Sequence, residues 1–337
     1  MLNNVKLRVE DLRVWFPVRR GLIEFLQRKP QKFVKAVDGI SFYIKKGEIF
    51  GLVGESGCGK TTTARALMRL IEPMGGKIFF YGEDGPIELT SLNKKQLKKF
   101  RTKIQMIFQD PYESLDPKQS VFDALSEPLK VNKLVKNSKE LLERILSVLE
   151  DVRLYPPESF IDRYPHELSG GQRQRVVIAS ALVLNPEIIL ADEPVSMLDV
   201  SIRGEVLRIL LELKEKRGLT YLFITHDLSL ARVICDRIGV MYLGKIVETG
   251  SSEEVIKNPK HPYTKALVSV IPVPDPTIKR EKIILKGEVP SPMDVPSGCR
   301  FHPRCPYFKE GVCNKEEPTL MEISKEHLVA CHLWEDI

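Results

Sequence analysis

The sequence predicts an α/β fold whose parallel strands each deliver a chemically active residue at one edge, and three stretches carry that prediction. The apolar run Ile49 to Val53 feeds Gly54-Glu55-Ser56-Gly57-Cys58-Gly59-Lys60-Thr61-Thr62, which opens into the helix-forming run Ala64 to Leu70. A second apolar run, from Glu187 to Ala191, ends in the adjacent carboxylates Asp192 and Glu193. A third, Thr220 to Thr225, ends in His226. Apolar runs of strand length bounded by turns read as buried strands, and the edge of a parallel sheet is the usual ligand edge.

Composition sets the class. The 337 residues are 43% hydrophobic and 28% charged, enough to bury a large core and far from a disordered composition. A net charge of +6 suits an anionic ligand or a membrane surface but not a nucleic-acid partner. Met1 to Phe16 lacks the pattern of a secretory signal, so the expectation is a protein that stays inside the cell. The apolar stretch Val176 to Leu184, bounded by Arg175 and Asn185-Pro186, falls far short of the roughly 20 residues that span a bilayer. Membrane association is therefore expected to be peripheral.

Taken in order, Lys6 to Tyr43 reads as strand-like and forms a sheet layer ahead of the glycine loop. Within it, Pro17 to Lys35 sets Leu22, Ile23, Phe25 and Leu26 among Arg19, Arg20, Arg28, Lys29, Lys32 and Lys35. That segment reads as a solvated insertion, with lipid headgroups or a partner as the alternative contact. The glycine loop itself matches G-x-x-x-x-G-K-[ST]. Glycines let backbone N–H groups turn inward and the following helix aims its positive end at the same point, so the loop cradles phosphates. Lys60 reaches the outer phosphates, and the Thr61 hydroxyl meets a hard cation, Mg²⁺.

Lys77 to Gly82 reads as a strand, Lys94 to Lys103 as a basic, solvated helix, and Gln105 to Ile107 as a buried strand leading to Gln109, whose amide could sit near a metal-bound or attacking water. Residues 120–165 read as helical, with Leu141, Leu142, Ile145, Leu146 and Leu149 as a core stripe. Leu168-Ser169-Gly170-Gly171-Gln172 is a second glycine turn, feeding a helix from Arg173 to Leu184. Alone it would be a helix cap; a second anion-binding helix start serves another anion or completes a site on another copy of the chain. Asp192 and Glu193 would be costly to bury unpaired, which assigns Asp192 to Mg²⁺ and Glu193 to polarising the attacking water. Ser196 to Asp199 turns into the next helix, and His226 is a candidate contact to the γ-phosphate.

This ordered set of motifs resembles the ATP-binding cassette of ABC transporters over about residues 5–255. The resemblance implies a P-loop NTPase with a RecA-like core, an N-terminal antiparallel β subdomain and an inserted α-helical subdomain at about 112–182. It implies ATP and Mg²⁺ as ligands, with Gly54 to Thr62, Ser169 to Gln172 and Asp199 contacting nucleotide, Thr61, Gln109 and Asp192 at the metal, and Glu193, His226 and Gln109 as catalytic residues. It further implies a head-to-tail dimer in which each ATP lies between the glycine loop of one subunit and Ser169 to Gln172 of the other. Phe16 is the positional match for the aromatic that stacks on adenine, with Trp15 as the alternative.

The tail, from Asn258 to Leu267 and then Gly298-Cys299-Arg300-Phe301-His302-Pro303-Arg304-Cys305-Pro306, resembles the C-terminal extension of di- and oligopeptide importer ATPases; nickel importers share parts of it. Domains are thus expected at 1–257 and 258–337. Pro272, Pro274, Pro276, Pro290, Pro292 and Pro296 predict an extended arm between the two tail segments. Of the six cysteines, Cys58 and Cys235 read as small buried side chains. Cys299, Cys305, Cys313 and Cys331 crowd into the tail and read as a metal site, because disulfides are disfavoured in the cytosol. No C-x-x-C knuckle marks zinc, and spacing alone leaves Zn²⁺ and an iron–sulfur cluster level. Resemblance to cluster-bearing peptide-importer members favours [4Fe-4S], with His302, His327 and His332 as substitute ligands.

The expected function is an ATPase that energises uptake of di- or oligopeptides from the cytoplasmic side of the membrane. Its expected partners are a second ATPase subunit (itself or a relative), two membrane-spanning permeases and, indirectly, an extracytoplasmic peptide-binding protein. A nickel or other solute importer is the alternative. A soluble ABC ATPase of DNA repair or translation would bring a long coiled coil or two cassettes, and a redox sensor would not need intact Lys60, Asp192, Glu193 and His226. The tail is expected to stand apart from the nucleotide site, since its first cysteine follows His226 by more than seventy residues across a proline-rich arm.

Overall fold

The computed structural model describes residues 4–20, 27, 30–83, 85–272 and 282–337. Leu22, Ile23, Phe25, Leu26, Arg28, Lys29, Pro274 and Pro276 lie outside the described residues. In chain order the elements are β1 (Val5–Pro17), β2 (Phe33–Lys45), β3 (Ile49–Val53), α1 (Lys60–Leu67), β4 (Gly75–Gly82), β5 (Gly85–Glu88), α2 (Lys94–Phe100) and β6 (Ile104–Ile107). There follow α3 (Val121–Val131), α4 (Ser138–Asp151), α5 (Gly170–Leu182), β7 (Ile188–Asp192), α6 (Val200–Arg217) and β8 (Thr220–Thr225). The chain closes with α7 (Leu228–Ile234), β9 (Arg237–Tyr242), β10 (Lys245–Ser251), α8 (Ser252–Lys257), α9 (Pro262–Ser269), β11 (Met321–Ser324) and β12 (His327–Val329). Two compact units result: one built on Ile44–Ile49 and Ser91–Ile224, the other on Val5–Tyr43, Phe50–Thr90 and Thr225–Ile337.

In the first unit β6, β7 and β8 run parallel, with Ile104 opposite Ile188 and Asp192 opposite Ile224. Strands covered on both faces by other elements need apolar residues at every position, and β7 and β8 are buried throughout. Helix α5 packs on α3, α4, α6 and β6. The α4 stripe differs from the expected one: Leu141, Ile145, Val148 and Leu149 are buried, while Leu142 is exposed and Leu146 half-buried. The helical reading of 120–165 holds only to Asp151. Beyond it Pro156, Pro157 and Pro165 withhold amide donors, and only short 3₁₀ turns form at Pro157–Ser159 and Pro165–Glu167.

In the second unit β2, β1, β4 and β5 form one sheet in that order, with β4 antiparallel to β1 and to β5; β1 and β2 are the layer expected ahead of the loop, and β4 and β5 join it from beyond the loop. Its register follows the apolar pattern. Leu7 and Val9 are buried, then Leu12 and Val14, a slip of one in the alternation. A bulge between Glu10 and Arg13, with Asp11 at φ 47, absorbs that slip and keeps all four side chains on the core face. The other sheet of this unit takes the order β11-β12-β10-β9-β3, with β3 parallel to β9 and the rest antiparallel. The last residues of the chain thus pair with β10, Glu248 opposite Val329. Buried Phe301 packs on Tyr242 and Tyr263 at centroid distances of 5.2 and 5.5 Å. The tail, poor in apolar residues of its own, shares the core of this unit.

Candidate nucleotide site and cysteine tail

In the second unit β3 runs straight into the glycine loop, and the loop's shape depends on its glycines. Gly54 and Gly59 sit at φ 153 and 111, and a Cβ at either would lie 2.2 Å from the Met241 carbonyl oxygen or 2.1 Å from that of Ala36. Only glycine fits. Gly57, at φ 80, faces open space. Helix α1 begins at Lys60, directly after Gly59, so its orphan N–H groups open onto the loop. The Lys60 ammonium, 5% exposed, arches back to donate to the carbonyls of Gly54 at 2.7 Å and Glu55 at 3.0 Å, and lies 3.7 Å from Cys58 Sγ. Burial raises the Cys58 thiol pKa, with Lys60 opposing, so Cys58 stays protonated and fills space. Thr63 Oγ1 donates to the Gly59 carbonyl; Thr61 and Thr62 occupy the first turn of α1.

At the end of β1 Phe16 is exposed, whereas Trp15 donates its indole N–H to Asp38 at 2.9 Å and carries the Lys35 ammonium 4.9 Å from its ring centre. Trp15 is thus committed to its own unit. His226, exposed after β8, precedes Asp227, whose carboxylate caps α7.

In the first unit, Gln109 Nε2 donates to Glu193 Oε2 at 3.3 Å. Asp192 is 2% exposed at the end of β7. Glu193 takes φ 45, unusual for a residue with a Cβ, and its N–H bonds the Ile224 carbonyl at 3.0 Å. The next strand thereby holds the strained turn that projects the carboxylate. Ser169 caps α5 through a reciprocal capping box: its hydroxyl accepts from Gln172 N–H at 3.3 Å and Gln172 Oε1 accepts from Ser169 N–H at 3.0 Å. Gly170 and Gly171 fill the first turn, the position of amides that a helix leaves unbonded. Buried Arg173 donates to the Pro165 carbonyl, 3.0 Å from Nε, and stacks on Tyr112 at 3.9 Å, which aims this helix start. Asp199 is the exposed N-cap of α6.

Cys299, Cys305, Cys313 and Cys331 line one small cavity. Burial, and then the neighbouring thiols, push Cys299 up to about 12; burial first, with Cys331 and Cys313 behind it, pushes Cys305 up to about 11. Among the described residues no group of three or more His, Cys, Asp or Glu stands arranged to hold a metal ion, so the geometry does not support the expected [4Fe-4S] cluster or zinc in its place. Of the substitute ligands, His302 and His332 line the same cavity and each bonds a carbonyl through one ring nitrogen, His302 Nδ1 to Cys299 and His332 Nε2 to Glu316, whereas His327 lies against Glu248 and Glu254.

The expectation that the tail stands apart from the loop is overturned. Arg304, next to Cys305, makes a two-pronged ion pair with Glu55 of the glycine loop at 2.8 and 3.3 Å. Tyr263 accepts the Glu55 N–H on its hydroxyl at 2.9 Å. Sequence distance misled because β12 of the tail pairs with β10, in the sheet that carries β3. The available signal was Glu55 itself, a lone acid in a phosphate loop, and two arginines interleaved with Cys299 and Cys305.

The family description "ABC transporter" matches residues 37–196, and "Oligopeptide/dipeptide transporter, C-terminal region" matches residues 247–313. The oligopeptide transport ATP-binding protein AppF of Bacillus subtilis is 50% identical over 331 residues, 97% of each chain. The dipeptide transport ATP-binding protein DppF of Haemophilus influenzae is 44% identical, over 98% of this chain and 99% of its own. Among solved structures, the dimeric ABC transporter cassette MJ0796 is 29% identical with a TM-score of 0.62, spanning 73% of this chain and 98% of its own.

Proposed function

The chain belongs to the ABC transporter family of ATP-binding subunits, and from that premise we propose that it hydrolyses ATP to drive uptake of di- or oligopeptides. The single observation that carries the peptide class is the match of both halves, cassette and C-terminal region, to peptide-transport ATPases along nearly the whole chain.

The residues fit a triphosphate: the glycine loop, whose course at Gly54 and Gly59 leaves no room for a Cβ, the start of α1 and the buried Lys60 form a polyanion site. In the proposed mechanism the loop amides and Lys60 bind the β- and γ-phosphates. Thr61, Gln109 and Asp192 would hold Mg²⁺, which supplies neutralisation of charge on the phosphate oxygens. Glu193 accepts the proton of the attacking water, oriented by the Gln109 amide, while His226 contacts the γ-phosphate and Phe16 stacks on adenine. Ser169 to Gln172 and Asp199 close the site of a second subunit, giving a head-to-tail dimer on two permeases at the cytoplasmic face, fed by an extracytoplasmic peptide-binding protein. Among the described residues no helix is long and apolar enough to cross a membrane.

The four tail thiols would hold a [4Fe-4S] cluster, or Zn²⁺ as the alternative. Their convergence on one cavity supports this, and His302 and His332, which line the same cavity, are the substitute ligands within reach. Such a group would cross-link residues 299–331 and contribute folding free energy there; no step of hydrolysis passes through it.

The test is reconstitution of the chain with its permeases and binding protein in vesicles. Peptide-stimulated ATP hydrolysis with peptide accumulation, lost on Lys60→Ala, is expected. Stimulation by a nickel chelate and not by peptides would overturn the assignment.

A further inference from the structure

Glu55 is an anomaly in a loop built to hold a polyanion: a carboxylate beside phosphates repels them unless a cation compensates it. Here the cation comes from the tail. The Arg304 side chain is 9% exposed against 32% for Glu55, and its guanidinium lies 5.9 Å from the centre of the Tyr242 ring. The tail holds Arg304 in place: Cys299 N–H bonds the Cys313 carbonyl at 2.8 Å, and the 3₁₀ turn His302–Arg304 follows on Phe301, locked among Tyr242, Tyr263 and His261. A second arm runs beside it. Buried Arg300 ion-pairs with Asp38 and donates to the Leu243 carbonyl at 2.7 Å; the next residue, Gly244, donates its N–H to the Cys58 carbonyl of the loop at 2.9 Å. The Cys299–Cys305 turn therefore grips the loop at Glu55 and at Cys58, through residues four apart.

We propose that Arg304, backed by Tyr263 and by the Arg300–Gly244 arm, is a positioning residue for the nucleotide: it neutralises Glu55 and holds the glycine loop in its phosphate-binding shape. The proposal rests on the assignment of ATP to this loop. It makes the tail part of the nucleotide site, and by reciprocity bound ATP stabilises the tail.

The test uses the full-length chain, with steady-state ATPase kinetics, equilibrium binding of a fluorescent ATP analogue and nucleotide-free melting. For Arg304→Ala the KM for ATP and the analogue Kd are expected to rise about three- to tenfold, the size of one well-formed, partly buried ion pair, with kcat little changed. In Arg304→Ala/Glu55→Gln most of that loss should return, because the uncompensated acid is gone; a merely structural arginine would show no such recovery. An unchanged KM in folded Arg304→Ala, or no recovery in the double variant, overturns the proposal. Should Arg304→Ala fail to fold, Arg304→Lys carries the test, since it keeps the charge and loses the two-pronged contact: an intermediate KM supports the proposal and a wild-type KM overturns it. Failure of the underlying assignment reads differently, as wild-type protein that binds no ATP or Lys60→Ala that binds it unimpaired.

Discussion

Replacing Gly59 by alanine should separate nucleotide binding from folding. At φ 111 an alanine is strained by about 1–3 kcal/mol before any contact is counted. Its Cβ would also lie 2.1 Å from the Ala36 carbonyl oxygen. That oxygen is backbone in β2, and two residues on the Asp38 N–H is bonded to the Gly244 carbonyl, so the strand cannot swing aside as a side chain would. The loop must move instead, and the combined penalty exceeds about 3 kcal/mol, a loss of about a hundredfold or more in ATP affinity. Gly57→Ala is the matched control. It carries a positive φ of 80 but meets nothing within 4 Å, so strain alone, about 1 kcal/mol, predicts a loss of about fivefold. Binding of a fluorescent ATP analogue to both variants, with melting to show retained folding, reads the difference. Equal affinities for Gly59→Ala and Gly57→Ala would refute the reasoning, because the clash would then have no consequence.

Glu193→Gln should lower turnover at least about a hundredfold while ATP still binds, since the amide keeps the shape held by Gln109 and Ile224 but cannot take a proton. The same variant should be monomeric without nucleotide and dimeric with ATP by light scattering; near wild-type hydrolysis removes Glu193 from the mechanism. Protein made anaerobically should be brown with about four irons per chain, and Cys305→Ser/Cys313→Ser should lose the colour and weaken ATP binding through Arg304; stoichiometric zinc without iron would sink the cluster. Burial lowers the His261 pKa from 6.5 to about 4, with Glu248 partly offsetting, and its Nδ1 accepts the Tyr263 N–H that starts α9. The unfolded state thus binds the extra proton between those values, so stability should be full above pH 6.5 and fall, by up to about 3 kcal/mol, as pH drops toward 4. His261→Asn, a neutral cap, should flatten that slope in urea melts; identical slopes in both proteins would exclude His261 as the cause.

Local chemistry is what the linear chain determined. The glycine loop, the carboxylates at the end of β7 and the capped turn at Ser169 each declare themselves within a dozen residues, because phosphate binding, strand burial and helix capping are short-range requirements. Apolar runs likewise located β3, β7 and β8, whose burial on both faces demands such runs. Other features depend on pairings between distant segments. The slip in β1 becomes a bulge only against β4, and the leucines of α4 divide into buried and exposed only once α5 lies beside them. Trp15 and Phe16 are neighbours in sequence, the alternative and the positional match for one role, and only the fold shows Asp38 and Lys35 holding Trp15. Arg304 and Glu55 lie 249 positions apart, and no periodicity links two charges across that span. They meet because β12 pairs with β10, and β10 with the β9 that lies parallel to β3, and that closure of the sheet was decided by the tertiary structure alone.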